Sequence, residues 1–361
     1  MIKTRAAVLR QPRTPMTVEE ITLRDPGPGE VLVRTMSAGI CGTDLHFADG
    51  TFPYPLPTVL GHEAAGIIAA TGPDVTRLAE GDRVVVCDQV FCGQCGPCLS
   101  GNMVYCTNTN AAKARQRNRL TIDDDPARQY LGVSAFSQAM LVDASACIPI
   151  PDQLSFPAAA LLACCLTTGL ATVFNISRAL PGSKVAVFGC GGVGLAAIQA
   201  ARIAGATQIF AVDIHDQRLA IAQLVGATHT INAEHIDPVE AITDISGGGV
   251  DRSIEAVGTA VTTQQAFTVL APTGIATVVG MLPSDTEVTL PGRLLRHGRQ
   301  IGGTVMGSVR SLADIPRYAE LALSGNLLVE PLITSTTPLE QIEQAMTAAV
   351  SRSGIRAMIS F

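Results

Sequence analysis

The segment from Phe91 to Cys106 contains four cysteines, Cys92, Cys95, Cys98 and Cys106, in the spacing C-x2-C-x2-C-x7-C. Turns of the C-x-x-C type place two thiolates on one side of a tight loop, as a tetrahedral zinc ion requires. Free or disulfide-bonded cysteines are the alternative, and this spacing favours the metal. A site with four thiolate ligands has no open coordination position, so the spacing predicts a structural zinc that stabilises the loop.

Two stretches upstream of this loop are dense in metal-ligand residue types. One reads GICGTDLH and runs from Gly39 to His46, and the other is Gly61-His62-Glu63. A lone Cys or His is usually a packed or surface residue. Together with a dinucleotide-binding pattern further along the chain, these stretches indicate a second zinc site with an open position.

The dinucleotide-binding pattern is G-x-G-x-x-G, formed by Gly189, Gly191, Gly192, Val193 and Gly194. It follows the apolar run KVAVFG and precedes a helical pattern, which is the context that this motif requires. Glycines let the backbone approach a pyrophosphate at the helix N-terminus. Asp213 ends the next predicted strand, where its carboxylate can accept from ribose hydroxyls and repel a 2′-phosphate, so NAD is favoured over NADP. The alternative is a glycine-rich turn with a surface aspartate.

The elements that must position these residues change character along the chain. Residues 1–150 contain short β-branched runs punctuated by Gly and Pro, which is typical of β structure. From Pro181 onward, strands and helices alternate, which predicts a parallel sheet with helices on both faces. Because Cys41 and the closing run IRAMISF belong with the β part, we predict one domain over 1–165 and 305–361, with a dinucleotide domain over 166–304 inserted into it.

Composition excludes several classes of function. The net charge of −6 is modest and the chain is acidic, whereas a nucleic-acid surface would require an excess of clustered Lys and Arg, so we expect no such surface. The uncharged stretch from Gln153 to Ser177 is interrupted by Pro157 and Gly169, which favours buried helix over a membrane span. We therefore predict a cytoplasmic protein. The basic and acidic segment 111–130, which includes Arg119, is predicted to be a solvated loop, with a lid or subunit contact as the alternative.

Over nearly its whole length the chain resembles the zinc-dependent medium-chain alcohol dehydrogenases. Five features carry the resemblance: CGTDLH, GHE, the four-cysteine loop, the G-x-G-x-x-G unit with its Asp, and the closing strand. The resemblance implies a Rossmann-type doubly wound parallel sheet domain inserted into a mainly β, GroES-like catalytic domain. It also implies two zinc ions per chain, NAD(H), a small alcohol or carbonyl substrate, a homodimer or homotetramer, and hydride transfer to nicotinamide C4.

The resemblance assigns Cys41, His62 and a third cysteine as ligands of the catalytic zinc, a ligand set known from alcohol dehydrogenases. The family's spacing to the Thr168-Gly169 pair selects Cys164, and Cys165 stays open as an alternative. Asp44 would hold the far nitrogen of His62, and Glu63 would lie behind the zinc. Thr43 and His46 would form a proton path, unless His46 is an ordinary surface histidine.

The remaining implied contacts fall into two groups. Cofactor contacts are implied for Thr168, Val193, Arg218, Gly280, Met281 and Arg356, and Arg356 is a surface arginine in the alternative reading. Substrate contacts are implied for Phe52, Asp88, Tyr130, Leu131 and Val305. Asp88 either recognises a substrate hydroxyl or amine or turns to solvent. Cys87, Cys147 and Cys190 have no ligand spacing and are predicted to be small buried hydrophobes.

Two alternative functions stay open at this stage. A polyol, threonine or S-hydroxymethyl-glutathione dehydrogenase could be built on the same scaffold. A member of another class, a zinc-containing NAD-binding protein without turnover, would retain the structural zinc alone. Activity on a panel of substrates distinguishes the first alternative from an alcohol dehydrogenase. The number of zinc ions per chain distinguishes the second alternative from an active enzyme.

Overall fold

The fold is known from a computed structural model, which describes residues 1–108, 118–351 and 354–361. The described chain divides into two compact units. The first comprises Met1–Cys164, Arg310–Gly325 and Ile333–Phe361, and the second comprises Cys165–Val309 and Asn326–Leu332. Both chain ends therefore lie in the first unit.

Within its described residues, the first unit begins with a series of short strands and three helices. The strands are β1 Ile2–Leu9, β2 Thr17–Leu23, β3 Glu30–Gly39, β4 Thr58–Val59, β5 Glu63–Thr71, β6 Arg83–Val86, β7 Leu120–Ile122, β8 Asp125–Ala127, β9 Ala139–Asp143 and β10 Cys147–Pro149. The helices are α1 Gly42–Ala48, α2 Gly96–Leu99 and α3 Phe156–Leu161. Ser155 caps α3 by accepting from the Ala158 N–H, and Pro157 lies in its first turn, where its missing N–H costs nothing.

The second unit is an alternation of strands and helices. Its strands are β11 Lys184–Phe188, β12 Gln208–Asp213, β13 His229–Asn232, β14 Val250–Glu255, β15 Leu270–Val278 and β16 Gln300–Gly303. Its helices are α4 Cys165–Ala171, α5 Gly192–Ile203, α6 Asp216–Val225, α7 Pro238–Ser246 and α8 Ala260–Thr268, with a π-helix over Thr172–Ser177 directly after α4.

The sheet of the second unit is parallel throughout its described pairs, in the order β13-β12-β11-β14-β15-β16. The order reverses between β11 and β14, which is the switch point of a doubly wound sheet. Val185 to Phe188 of β11 are all buried, as a strand covered on both faces must be. The predicted Rossmann-type fold class is confirmed.

The chain then returns to the first unit as α9 Ser311–Leu323, β17 Ile333–Pro338, α10 Ile342–Val350 and β18 Arg356–Ser360. The first unit holds two sheets, in the orders β4-β1-β2-β7-β8 and β10-β6-β5-β3-β18-β17, and β9 also pairs with β3. Its core draws on both sheets, with Val8 and Ile21 from one and Val33 and Ile68 from the other. Short 3-10 helices lie at Met103–Tyr105, Tyr130–Gly132, Ala144–Ala146, Gly292–His297, Met306–Ser308, Glu330–Leu332 and Leu339–Gln341.

The compact units differ from the predicted domains in three places. Residues 305–309, residues 326–332 and Cys165 belong to the second unit rather than to the first. Side-chain bonds explain the second difference, since the Gln199 amide both donates to Leu328 O and accepts from Leu328 N, while Arg202 donates to Asn326 O. Such contacts join residues more than a hundred positions apart, so local patterns do not reveal them.

Segment 153–177 forms α3, α4 and the π-helix, so the prediction of helical structure there is confirmed. Most of its apolar side chains are buried. Across the described parts of the chain, the helices are all too short or too polar to cross a lipid bilayer.

The prediction of a solvated loop over 111–130 is wrong at Arg119. Residues 111–117 lie outside the described part, and β7 and β8 form a hairpin beyond them. Arg119 is 1% exposed, its Nε lies 2.8 Å from a carboxylate oxygen of Glu30, and its Nη1 lies 3.0 Å from the side-chain oxygen of Gln129. A buried guanidinium persists because these acceptors replace water.

Candidate metal centres and dinucleotide site

The four-cysteine loop gathers its thiols around one point. Cys95 Sγ lies 3.4 Å from Cys98 Sγ and 3.8 Å from Cys106 Sγ, and Cys92 Sγ lies 4.0 Å from Cys98 Sγ. Zn–S bonds of about 2.3 Å at tetrahedral angles require sulfur atoms about 3.8 Å apart. None of the ten cysteines is in a disulfide. The spacing therefore fits a tetrahedral metal ion.

Local backbone structure orients these thiols. Cys95 is the N-cap of α2, and Pro97 lies within the first turn of that short helix. The N–H groups of Gln94 and Cys95 both point at Cys92 Sγ at 3.4 Å, and the Cys92 N–H points at Cys106 Sγ at 3.4 Å. Backbone donors of this kind stabilise the thiolate, and they hold the pKa of Cys92 below its usual value.

A second group of ligand atoms forms in the first unit. The side-chain atoms of Cys41, His62, Glu63 and Cys164 lie within 4.8 Å of one another. The strands explain the convergence, because Gly39 at the end of β3 pairs with Glu63 at the start of β5 and, on its other side, with Met358 of β18. Cys165, the other predicted third ligand, is outside this group and is fully buried as the first residue of α4.

Asp44 holds two of the candidate ligands at once. One of its carboxylate oxygens accepts from the Cys41 backbone N–H at 2.9 Å, and the other is 2.9 Å from His62 Nδ1. Since a carboxylate only accepts, Nδ1 carries the proton and Nε2 keeps the lone pair that a metal needs. Asp44 is fully buried in the first turn of α1, so both bonds are shielded from water.

The pKa values of the thiols and the imidazole in this group are shifted from their usual values. The hydrogen bond from Cys164 is the largest cause that holds the pKa of Cys41 well below its usual value, with help from the positive charge of Arg356. The same bond raises the pKa of Cys164. Burial disfavours a charged His62, but Asp44 and Cys41 outweigh it and raise the pKa of His62. Metal binding at these residues would therefore displace protons.

Arg356 lies beside this group. The side chain is 8% exposed, and its Nη2 lies 3.3 Å from Glu63 Oε1 and 3.8 Å from Cys41 Sγ. Burial raises the pKa of Glu63 to about 7, although the charge of Arg356 opposes it. The alternative of a surface arginine is wrong, because the guanidinium is buried against a carboxyl and a thiol. A cofactor contact of Arg356 stays a prediction.

The two residues of the predicted proton path share α1. Thr43 and His46 are three positions apart, which places them on one face of the helix. Thr43 Oγ1 lies 3.7 Å from Cys41 Sγ, and the half-buried His46 ring meets the Phe52 ring edge-on at 5.6 Å between centroids. Both side chains are partly exposed, and their relay role stays a prediction.

The predicted substrate-contacting residues lie in different surroundings. Tyr130 is fully buried and its ring packs edge-on against His62 at 6.0 Å. Phe52, Asp88 and Leu131 are partly exposed, and Val305, in the second unit, is 50% exposed. Burial raises the pKa of Asp88, while the charge of His62 opposes it. A substrate contact for any of them stays a prediction.

Three other cysteines lie apart from both groups. Cys87, Cys147 and Cys190 are fully buried, as predicted. Burial raises the pKa of Cys87 to about 12 and raises the pKa of Cys147 and Cys190 as well. These thiols therefore stay neutral and pack as small hydrophobes.

The glycine-rich turn has the geometry of a pyrophosphate site. Gly189 has φ +93°, and a Cβ on Gly194 would lie 1.7 Å from Gly189 O, so only glycine fits either position. Gly191 is the N-cap of α5, which begins at Gly192 and continues with Val193. The N-terminus of α5 therefore follows an open backbone turn at the carboxyl end of β11.

Asp213 is tied to this turn. Its Oδ2 accepts from the Cys190 N–H at 2.7 Å, and its Oδ1 accepts from the N–H groups of Ile214 and His215 at 2.8 and 3.0 Å. At 8% exposure it is not the surface aspartate of the alternative reading. Oδ2 accepts only one of these bonds and keeps a second lone pair, and a ribose contact stays a prediction.

The other implied cofactor contacts lie on different elements of the second unit. Thr168 is 6% exposed and, among the described residues, its hydroxyl has no hydrogen-bond partner, as expected of an atom that awaits a ligand. Arg218 is partly exposed in α6, Gly280 follows β15, and Met281 is 44% exposed. The described contacts do not assign these residues to a cofactor.

Sequence reasoning missed three residues near this turn. Ile214 and Val257 are large apolar side chains that are each 44% exposed, and a Cβ on Gly189 would lie 2.7 Å from Val257. Glu255 ends β14 as a fully buried carboxyl. The sequence offered only a weak signal for these residues, which is their position: Ile214 directly follows Asp213, and Val257-Gly258 directly follows a predicted strand.

Comparisons with known proteins agree with this geometry. The alcohol dehydrogenase GroES-like domain family matches residues 27–152, and the zinc-binding dehydrogenase family matches residues 192–324. An alcohol dehydrogenase zinc-binding domain protein from Burkholderia ambifaria is 36% identical with a TM-score of 0.95, covering 100% of this chain and 99% of its own. Benzyl alcohol dehydrogenase from Acinetobacter calcoaceticus is 32% identical with a TM-score of 0.93, covering 100% of both chains. A protein assigned as a zinc-binding dehydrogenase from Sinorhizobium meliloti 1021, bound to NADP, is 27% identical with a TM-score of 0.85, covering 100% of both.

Proposed function

The chain belongs to the zinc-dependent alcohol dehydrogenases of the medium-chain dehydrogenase/reductase family, and we propose that it catalyses the reversible NAD-dependent oxidation of primary or secondary alcohols to aldehydes or ketones. One observation carries the proposal. Cys41, His62 and Cys164, far apart in sequence, converge in the first unit with a carboxylate that orients two of them.

These residues fit a catalytic zinc. Two thiols and one imidazole are the ligand set that leaves a tetrahedral ion one open position, whereas the four-cysteine loop would hold a closed, structural ion. A zinc ion bound at Cys41, His62 and Cys164 would supply Lewis-acid polarisation of an alcohol oxygen, and bound NAD would supply the hydride acceptor.

The chain's own groups prepare this site in three ways. Asp44 fixes the Nδ1–H tautomer of His62, which leaves Nε2 free to bind. Arg356 places a positive charge beside the thiolate of Cys41, which partly balances the negative ligands. Glu63, paired with Arg356, supplies a further carboxyl oxygen within reach of the same point.

Proton release would use residues on α1. The Thr43 hydroxyl, 3.7 Å from Cys41 Sγ, would accept the alcohol proton as it gives up its own toward His46, one helical turn away, and His46 would release a proton to solvent. An imidazole suits this last step because it can take up and release a proton near neutral pH.

Asp213 supports NAD as the cofactor. Its buried carboxylate is anchored to the glycine-rich turn, where it would accept from ribose hydroxyls and repel a 2′-phosphate. The ratio of kcat/KM for NAD to that for NADP tests this point, and a ratio below one would reverse the assignment.

One observation favours the polyol alternative. Asp88 is a partly exposed carboxyl that lies close enough to the metal group for the charges of His62 and Cys41 to affect its pKa. A carboxyl there would recognise a second substrate hydroxyl. The non-catalytic alternative loses support, because a merely structural zinc protein has no need of a buried Asp44 that orients Cys41 and His62.

The deciding experiment measures NADH formation with aliphatic, benzylic, terpenoid and polyol alcohols, together with the zinc content of the same preparation. We expect two zinc ions per chain, turnover of at least one alcohol class, and loss of turnover after dialysis against a chelator. Full activity after complete metal removal would refute the zinc mechanism, and one zinc per chain without turnover would favour the non-catalytic alternative. Light scattering would test the expected homodimer or homotetramer, and cell fractionation would test the expected cytoplasmic location.

A further inference from the structure

Glu255 is a fully buried carboxyl at the carboxyl end of β14. Its Oε1 accepts three hydrogen bonds, from the N–H groups of Val257 and Gly258 and from the Thr262 hydroxyl, each at 2.8 Å. Within the described part of the chain, Oε2 has no hydrogen-bond partner. One side-chain oxygen therefore holds the backbone that leaves β14.

The same residue also holds the backbone that leaves the neighbouring strand β15. Its carbonyl oxygen accepts from the N–H groups of Val279 and Gly280 at 2.8 and 3.0 Å. Glu255 thus bonds to two segments at once, residues 256–258 after β14 and residues 279–281 after β15.

Glycines bring these two segments into backbone contact. A Cβ on Gly258 would lie 2.4 Å from Met281 O, and a Cβ on Gly280 would lie 2.3 Å from Gly258 N and 2.6 Å from Glu255 Oε2. No larger residue fits either position without displacing the other segment. Any change in the Glu255 side chain is therefore transmitted directly to the spacing of the two segments.

Both segments border the dinucleotide site. Val257 packs against Gly189, the first glycine of the turn, and β14 neighbours β11 with Phe188 opposite Glu255. Ligands of doubly wound sheets bind at this switch point, outside the carboxyl ends of the strands. Val257 and Met281 are each 44% exposed there, so each segment presents an apolar side chain at this edge.

A buried carboxyl is an expensive way to gain stability alone, because a well-packed apolar residue usually stabilises as much or more. We propose that Glu255 is a positioning residue, which fixes the spacing between segments 256–258 and 279–281 and so shapes the nicotinamide end of the cofactor site. This inference rests on the proposed function as an NAD-dependent enzyme. Glu255 acts through the two segments and does not itself touch the cofactor, since it is sealed beneath Gly280.

The test compares two ligands by titration calorimetry on the intact protein, NADH and ADP-ribose, which lacks the nicotinamide. In Glu255→Ala, the Val257 and Gly258 N–H groups and the Thr262 hydroxyl lose their acceptor, and we expect the Kd for NADH to rise about tenfold or more. The Kd for ADP-ribose should rise by less than about threefold, because Asp213, the proposed partner of the adenosine ribose, ends β12, which lies on the other side of β11 from β14 and β15. Glu255→Gln keeps the accepting oxygen and should restore the NADH Kd to within about threefold of wild type.

Ser253→Ala is the matched structural control. Ser253 lies on the same strand, is fully buried, and donates to Ala266 O at 2.6 Å. This variant should lower the unfolding temperature without changing either Kd. Thr262→Val removes only one of the three donors to Glu255 Oε1, so it replaces Glu255→Ala in the test if that variant does not fold. We expect Thr262→Val to raise the Kd for NADH about threefold.

Three results would overturn the inference. If Glu255→Ala weakens the binding of NADH and of ADP-ribose equally, Glu255 supports the whole unit. A loss of NADH affinity in Ser253→Ala would have the same meaning. An unchanged NADH Kd in both Glu255→Ala and Thr262→Val would remove Glu255 from the site. A wild-type protein that binds neither ligand would instead refute the proposed function, so the two failures are distinguishable.

Discussion

Replacing Asp44 with Asn tests the catalytic metal group most directly. The carboxylate of Asp44 accepts from the Cys41 N–H and from the protonated His62 Nδ1, each at 2.9 Å. Asparagine has nearly the same shape but offers one accepting oxygen and one NH2 group. One of the two buried donors must therefore lose its acceptor and face another donor.

The size of the effect follows from this arrangement. An unsatisfied buried donor costs about 1–3 kcal/mol, which is roughly 5- to 150-fold in an equilibrium constant. If the amide NH2 faces His62 Nδ1, it also favours the Nε2–H tautomer, which has no lone pair left for a metal. We therefore expect Asp44→Asn to weaken zinc binding at this group about 10- to 100-fold, in line with other partners of metal-bound histidines.

Competition with a chromogenic chelator, followed by metal analysis, measures this loss. The variant should release one zinc ion at chelator concentrations that wild type resists, while the zinc of the four-cysteine loop stays bound. Asp49→Asn is the control, because Asp49 is exposed at the end of the same helix and its carboxylate bonds to Thr51 rather than to a candidate ligand. Wild-type zinc affinity in Asp44→Asn would refute the claim that this carboxylate orients the ligands.

Three further predictions follow from other residues. Cys164→Ser should remove one zinc and all turnover, whereas Cys165→Ser should keep both; the reverse pattern, read by metal analysis, would exchange the two assignments. Arg119→Met should lower the free energy of unfolding by about 3 kcal/mol in urea titrations, because it leaves the buried Glu30 carboxylate underpaired, and the more exposed Arg24→Met should cost less. Burial opposes ionisation of Glu30, but Arg24 and Arg119 outweigh it and lower its pKa below the usual 4.5, so this stabilisation is present above that pH and is lost as the pH falls through the lower folded-state value. His46→Gln should slow alcohol oxidation most at low pH, where hydroxide cannot replace the relay, and an unchanged pH profile would remove His46 from the path.

Local patterns were sufficient for several features. The cysteine spacing around residues 92–106 predicted a metal loop because its ligands lie within one short segment, and the thiols do gather there. The glycine-rich turn and the alternation of strands and helices predicted the parallel sheet, since each βα unit is specified by neighbouring residues. Stretches GICGTDLH and GHE indicated a second metal group, although their convergence could only be inferred from the resemblance.

Other features depend on partners that are distant in sequence. Arg119 reads as part of a polar loop, yet it is buried because Glu30, 89 residues away, supplies its counter-charge. Arg356 reads equally well as a surface residue, but β18 beside β3 brings it to Glu63 and Cys41. Glu255 carries no motif at all, and its role became visible only when two strand ends met around it.

The sequence by itself therefore determined which chemistry is available, because ligand types, glycines and apolar periodicity act over a few residues. Only the tertiary structure decided which thiol of the pair Cys164 and Cys165 joins the metal group, since Cys164 lies in the turn before α4 whereas Cys165 is the first residue of that helix and is fully buried. It also decided where each buried charge finds its partner, because that depends on which strands lie side by side.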